Sequence, residues 1–306
     1  MAQKTVYSVA PNLETNNQPG GNLLGHIWAS IGATIVLGII CCAIYPAVIY
    51  ILSQTLFPWQ ANGSLLAKDG SRTTDDTKAV GSALIGQNFS AVQYFHPRMS
   101  AAGAGYDATD SGGTNLGPLS DKLINGLTNP ATTQPTTQPE SLGFDGIRLR
   151  TIHYANDNGI PFKLYQVAAD GTRTEVPLKK YENSDGSLND VALVDAFPHN
   201  GATAGLIAAD FGTLIPGDAV TGSASGLDPH ISPANADLQA NRVATSRNVS
   251  VDKVKDLIAE YTDGPSLGFL GDPGVNVLRL NIALDQKYPM PPAPTPAAAP
   301  ASQPSK

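Results

Sequence analysis

Between Glu14 and Lys68 the chain carries no Asp, Glu, Lys or Arg, and this gap in charge constrains the fold more than any other feature. Its densest apolar part, IGATIVLGIICCAIYPAVIYIL, exceeds the ~20 residues a helix needs to cross a ~30 Å hydrocarbon core with its backbone bonded internally. One transmembrane helix is predicted over residues 23–56. Trp28 near its start and Tyr45, Tyr50, Phe57 and Trp59 towards its end place amphipathic rings where headgroups lie. A cleaved signal would need a basic leader, a short apolar core and a small-x-small site. Here Lys4 is the one basic residue before the span, the core is too long and no Ala-x-Ala follows, so the segment reads as an uncleaved anchor. Pro46 removes the donor to the Cys42 carbonyl and predicts a kink, which serves either as a plain bend or as a docking feature. Lys4 on one flank and Lys68, Arg72 and Lys78 on the other give no orientation by charge.

The remaining chain of about 240 residues is long enough for one sizeable domain or two small ones. With 15% charged residues, 30 Gly and 24 Pro, it should be turn-rich rather than helical throughout. A net charge of −7 argues against nucleic acid as a partner, since nothing would offset phosphate repulsion. Both cysteines, Cys41 and Cys42, lie inside the span, so cysteine usage does not identify the compartment.

Residues 1–22 read as a flexible Asn/Gln/Pro/Gly tail. After the span, Val80, Ala83, Leu84, Ile85 and Phe89 suggest a buried strand and turn. The turn-rich stretch YFHPRMSAAGAGYDATDSGGTNLGP is a binding loop or disordered, and Tyr94, Phe95 and Tyr106 favour order. Residues 129–139, NPATTQPTTQP, form a low-complexity linker. Beyond it, FDGIRLRTIHY, PFKLYQVAADGTRTEVPLKKYEN and SLNDVALVDAF alternate apolar and polar residues around Asn158-Gly159, Asp170-Gly171 and Asp185-Gly186, predicting two or three hairpins in a β-rich insert. Ser232 and Pro233 open a helix to about Arg247, and Ser250 caps a second through about Thr262. VNVLRLNIAL, residues 275–284, alternates as a closing strand, and the Pro/Ala-rich tail from 288 reads as disordered.

Several chemistries are disfavoured. GSALIGQN has Gly-x4-Gly spacing, but Gln87 and Asn88 stand where a phosphate loop needs Lys and Ser/Thr. GSASG at 222–226 has Ala224 where a nucleophile elbow needs serine. Frames built on Gly159 or Gly186 put tyrosines at the first ligand position, so they are not calcium loops. Histidines 26, 96, 153, 199 and 230 never fall at i, i+4, and His96 and His230 read as hydrogen-bonding loop residues.

The span ending in YP, FPWQANGSLL, GSALIGQNF, the 94–118 stretch, VTGSASGLDPHISPANADLQANRVATSRNVSVDKV and VNVLRLNIALD occur in this order. Together they resemble the C-subunit family of the Kdp potassium-transporting P-type ATPase, over residues 24–125 and 214–286. The resemblance implies an α+β fold: one amino-terminal transmembrane helix and a mixed extracytoplasmic domain of residues 57–126 and 214–287, interrupted by the 127–213 linker and insert. It implies a bacterial inner-membrane subunit with a cytoplasmic amino terminus and a periplasmic carboxy-terminal domain. Its partners would be the ATP-hydrolysing B subunit, the potassium-pathway A subunit and membrane lipid. The family role is accessory: assisting assembly and acting as a catalytic chaperone that raises the ATP affinity of the ATP-hydrolysing partner. This chain would bind no cofactor tightly, with ATP handled by the complex and potassium as the transported ion. Met99 stands where the family usually has proline.

Ser223, Ser225 and Gln239 are the nearest nucleotide-contact candidates that the resemblance suggests. Asp107, Asp110 and Asn115, around the Gly112-Gly113 turn, could instead cap a potassium entrance with acidic and carbonyl-bearing loops, or simply be solvated. No catalytic centre of its own is expected. The alternative is a membrane-anchored periplasmic binding or sensor module with the insert as its working part; a membrane-tethered hydrolase ranks third.

Overall fold

The apolar run forms one continuous helix. The computed structural model describes residues 22–128 and 142–290; the 1–22 tail up to residue 21, the 129–139 linker and the tail beyond 290 lie outside them. The helix runs through α1 (Leu23–Ile39), a π-helical turn (Ile40–Ile44) and α2 (Tyr45–Leu56), and α3 (Pro58–Ala61) follows. Its 34 residues have a mean hydropathy of 2.6 in their most apolar window, and none of them is buried. At about 1.5 Å per residue this length exceeds a ~30 Å hydrocarbon core. Its hydroxyls are satisfied within the helix: Ser30 donates to His26 O, Thr34 to Ser30 O, Ser53 to Tyr50 O and Thr55 to Ile51 O. The perturbation expected at Pro46 takes the form of the π turn, just N-terminal to it.

Residues 62–290 form a second unit with two cores. It begins with β1 (Leu65–Ala67), flanked by β2 (Arg72–Thr73) and β3 (Ala79–Ser82) in an antiparallel sheet. The strand and turn predicted near residue 80 exist, but Val80 and Leu84 point outward rather than into the core. A short helix α4 (Asp121–Asn125) leads to β4 (Leu127–Thr128), which pairs with β5 (Leu142–Phe144).

The insert is α+β rather than β-rich. FDGIRLRTIHY gives β5 and then α5 (Ile147–Asp157), not a hairpin strand. The apparent alternation there conceals Leu149, Ile152 and Ala155, all buried at helical spacing. A three-stranded antiparallel sheet follows: β6 (Lys163–Val167) is flanked by β7 (Arg173–Val176) and β8 (Gly205–Ala209). The β6–β7 hairpin turns at Asp170-Gly171 as expected, with Gly171 at φ +84° and Asp170 accepting from the Thr172 amide. SLNDVALVDAF is also not a strand. Asn189 accepts from the Ala192 amide at 3.0 Å and starts α6 (Asp190–Ala196), which buries Leu193 and Val194. Leu149, Ile152, Leu164, Leu193, Phe197 and Leu206 form this region's own core.

After α7 (Gly217–Val220) comes the main core. β9 (His230–Ile231) leads into α8 (Pro233–Arg247), capped as predicted by Ser232, which accepts from the Asn235 amide at 3.1 Å. α9 (Val251–Glu260) starts after Ser250, whose side chain makes no capping bond. β10 (Thr262–Asp263) and β11 (Gly274–Asn276) complete a sheet of order β10-β11-β9. The closing strand predicted over 275–284 stops at Asn276. Asn276 Oδ1 accepts from the Arg279 amide at 3.1 Å and opens α10 (Val277–Lys287). Leu278, Leu280, Ile282 and Leu284 fit an alternating face, whereas Val277, Leu280 and Leu284 share a helical one, and packing on α8 and α9 decides.

Leu193 and Leu280 are fully buried in separate cores, whereas Leu214 is 89% exposed. Leu193→Ala and Leu280→Ala should each lower the stability of the detergent-solubilised chain by about 2–5 kcal/mol, and Leu214→Ala by less than about 0.5 kcal/mol. Urea unfolding followed by near-UV circular dichroism measures this; a null effect at either buried leucine would contradict the assigned cores.

Candidate functional site

The turn-rich 91–115 segment is ordered because helix side chains bond its backbone. Asn281 of α10 accepts from the Phe95 amide at 2.9 Å and donates to the Phe95 carbonyl at 3.0 Å. Gln239 of α8 does the same to the next residue, accepting from His96 N at 2.7 Å and donating to His96 O at 3.1 Å. Arg242 donates to the carbonyls of Val92 and Tyr94, and Arg247 to those of Gln93 and Tyr288. The Arg247 side chain is fully buried and pairs with Asp285 at 2.8 Å. Phe95 is anchored in the main core without exposed surface.

Beyond His96 the segment is pinned to the 218–232 stretch. Arg98 donates to Asp228 at 2.9 Å and to Gly222 O at 3.2 Å. Ser100 Oγ donates to Gly226 O and accepts from the Tyr106 amide, and the Tyr106 hydroxyl donates to Arg98 O. Burial and the Asp228 charge push the Tyr106 phenol well above its usual range, so it stays a neutral donor. The Ser111 hydroxyl and the Gly112 amide both donate to Ser225 O, at 2.9 and 3.0 Å. A Cβ on Gly226, at φ +67°, would lie 2.7 Å from both Ala102 N and Gly112 O, and one on Gly113 would lie 2.8 Å from Ala224 O. These contacts require glycine at both positions.

The fold thus brings most of the candidate residues to neighbouring loops. Ser223 is buried and Ser225 Oγ accepts from the Leu227 amide. Asp107 and Asp110 are exposed on the facing loop, and exposed Asn115 adopts a left-handed φ of 52°. Asp107 accepts from the Thr109 hydroxyl and amide, which hold its carboxyl below the usual range and keep it charged. Gln239 does not join them. It is buried, and its carboxamide is committed to His96, Asn235 and Arg242. Among the described residues there is no cluster of three or more His, Cys, Asp or Glu able to hold a metal.

An open cleft of about 620 Å³ lies between the 96–99 segment, α8 and α5. His96 and Gln239 line one side, and Asp145, Arg150, His153 and Asp157 the other. His153 meets Asp190 at 2.8 Å. Sequence reasoning misses this cleft, because the α5 residues alternate like a strand, and misses the roles of Arg242, Arg247 and Asn281. The i, i+3 pair of Gln239 and Arg242 is the one local signal available.

These features define an α+β protein with one helix, among the described residues, long and apolar enough to cross a membrane and a polar domain that presents fixed loops. A family profile described as "KdpC: K+-transporting ATPase, c chain" matches residues 27–142 and 187–286. The "Potassium-transporting ATPase KdpC subunit" of Mycobacterium tuberculosis is 38% identical over 253 residues, covering 83% of this chain and 92% of that protein. The proteins of the same name from Koribacter versatilis and a Caulobacter species are 34% identical over 270 residues (88% of this chain, 97% of the relative) and 35% over 267 (87% and 96%). The chain belongs to the KdpC family and is an accessory subunit of a potassium-uptake ATPase complex. The stretch outside the profile, 143–186, is narrower than the 127–213 insert read from sequence.

Mutation tests both the clamp and the cleft. Asn281→Leu strands the buried amide and carbonyl of Phe95 and should cost about 2–4 kcal/mol in urea unfolding; an unchanged midpoint would contradict the clamp. The His153 pKa is raised, first by its hydrogen bond to Asp190 and then by the charges of Asp190, Asp157 and Asp145 acting against burial. A raised value means the pair stabilises the fold fully below the ordinary 6.5 and loses that contribution as pH climbs through the folded value. His96 runs the other way: burial, then Arg242, lowers its pKa, so it opposes folding as pH falls below 6.5. The stability gap between the native chain and His153→Asn should therefore be wider at pH 5 than at pH 8, and a pH-independent gap would contradict the ion pair.

Proposed function

We propose that this chain is the anchored assembly subunit of the potassium pump in a bacterial inner membrane. Its amino terminus is cytoplasmic and residues 62–290 are periplasmic, where they dock on the potassium-pathway A subunit, while the helix docks the complex that contains the ATP-hydrolysing B subunit. The observation that carries this reading is the 34-residue apolar helix with no buried residue. Such a surface is stable only against lipid or other membrane helices. As catalytic chaperone the chain raises the ATP affinity of its ATP-hydrolysing partner through protein–protein contacts, without holding nucleotide itself. Gln239 supports this, since its carboxamide has no free hydrogen-bonding capacity to offer a ligand.

A second role rests on the exposed Asp107 and Asp110 carboxylates of the pinned loop. Beside the pathway entrance they would raise the local cation concentration. In assembled complexes, Asp107→Asn with Asp110→Asn should raise the potassium concentration for half-maximal ATPase activity about two- to fivefold at low ionic strength. An unchanged value removes the capping role and leaves the assembly role standing.

The assembly reading is tested by a detergent pull-down through the carboxy-terminal tail, with potassium-stimulated ATPase assayed on the eluate. Recovery of a P-type ATPase and a channel-like subunit is expected, with activity lost when this chain is omitted. Recovery of the chain alone while both partners are expressed would contradict it and turn attention to the 620 Å³ cleft as the site of an anchored binding module.

A further inference from the structure

The middle of the anchor helix carries a backbone defect that the chain does not repair by itself. In a regular helix the Cys41 carbonyl would accept from the Tyr45 N–H, four residues on. Here the Tyr45 N–H donates to Ile40 O instead, closing the π turn over Ile40–Ile44. The next N–H, which a π register would bring to Cys41 O, belongs to Pro46 and does not exist. Cys41 O thus loses both helical donors, and Cys42 O loses its α-register donor to the same proline.

No serine or threonine hydroxyl of the helix replaces them. Ser30, Thr34, Ser53 and Thr55 donate to His26, Ser30, Tyr50 and Ile51 carbonyls, away from the π turn. Cys41 lies near the midpoint of Leu23–Leu56, where a membrane offers no water, and an unsatisfied carbonyl there costs several kcal/mol. Both cysteines are exposed, so this face is open to another helix.

We propose that the Ile40–Ile44 turn is a docking point for a transmembrane helix of another pump subunit, whose Ser, Thr, Asn or Gln side chain donates a hydrogen bond to Cys41 O. A second copy of this chain does not meet the requirement. With the same topology it would set Ile40–Ile44 against itself, and its nearest Ser, Thr, Asn or Gln is Thr34, seven residues or about 10 Å along the axis, its one nearer hydroxyl being the Tyr45 phenol four residues away. The inference rests on the assembly reading above and adds the contact that fixes the anchor in the complex.

Cys41 and Cys42 are the two cysteines of the chain, so [1-13C]cysteine labels these two carbonyls alone. Infrared spectra of the labelled chain in bilayers should contain a high-frequency component from a carbonyl without a donor. This component should move to the hydrogen-bonded position when the chain is assembled with unlabelled partners. Pro46→Ala supplies the missing N–H, should abolish that component in the lone chain, and should reduce partner retention in detergent about threefold or more, with membrane insertion unchanged. A hydrogen-bonded position in the lone native chain, no shift on assembly, or full partner retention by Pro46→Ala would each overturn the proposal. So would oxidative cross-linking of the native cysteines into chain dimers. If the native chain retained no partners at all, the assembly reading would fail first; retention by native chain and variant alike would defeat this inference alone.

Discussion

The polar domain depends on two carboxamides that treat consecutive residues as a strand would. Asn281 and Gln239 each complete a donor–acceptor pair with the backbone of Phe95 and His96. Without them, an extended segment rich in turn formers would bury unpaired backbone groups beside the main core, at a cost of about 1–3 kcal/mol for each group. Arg242 and the buried Arg247 extend the clamp to residues 92–94 through their carbonyls, and Arg247 also lies over the Tyr94 ring. The clamp thus holds the backbone of 92–96, while the Phe95 ring fills the main core and the Tyr94 hydroxyl donates to Asp285. The 98–115 loop continues directly from this fixed rail and is pinned in turn to Gly222, Ser225, Gly226 and Asp228, so the positions of Asp107, Asp110 and Asn115 are set by a stretch far away in sequence.

The anchor obeys a different constraint. In the domain, polar backbone groups find helix side chains; in the apolar helix the Ser and Thr hydroxyls are bonded within the helix itself. Ser30, Thr34, Ser53 and Thr55 all donate to carbonyls of their own helix. The π turn before Pro46 is the one departure, and in hydrocarbon such a departure favours contact with another helix. An accessory subunit of this family thus combines a lipid-compatible helix carrying one local hydrogen-bonding demand with a domain whose exposed loops are preorganised before any partner arrives.

How much of this is legible in the sequence depends on the range of the deciding contacts. The long apolar helix, the Ser232-Pro233 helix start and the Asp170-Gly171 turn are local, and sequence reasoning finds all three. Residues 275–284 fit both a strand and a helix period; after one short strand Asn276 caps the Arg279 amide and opens a helix, and packing on α8 and α9 decides for it. Residues 147–157 and 190–196 mislead because short alternating runs hide helical triplets that only the insert core makes evident. The clamp is not legible, since Phe95 and Asn281 are 186 residues apart and nothing local marks Asn281 as a backbone partner. Ser225 and the Gly112 turn stand out in the sequence for separate reasons. Their meeting through Ser225 O is a long-range contact that spacing does not encode. Gln239, a nucleotide-contact candidate by resemblance, has saturated hydrogen bonding that gives it a structural role instead.

The most direct measurement is hydrogen–deuterium exchange resolved to single amides, on the detergent-solubilised chain and on the purified complex. The Phe95 and His96 amides should exchange as slowly as those of α8 and α10 in both samples, while the 107–115 loop should gain protection only in the complex. Loop-like exchange at Phe95 and His96 in the free chain, or a 107–115 loop unaffected by assembly, would contradict the account of a clamped segment presenting a preformed docking loop.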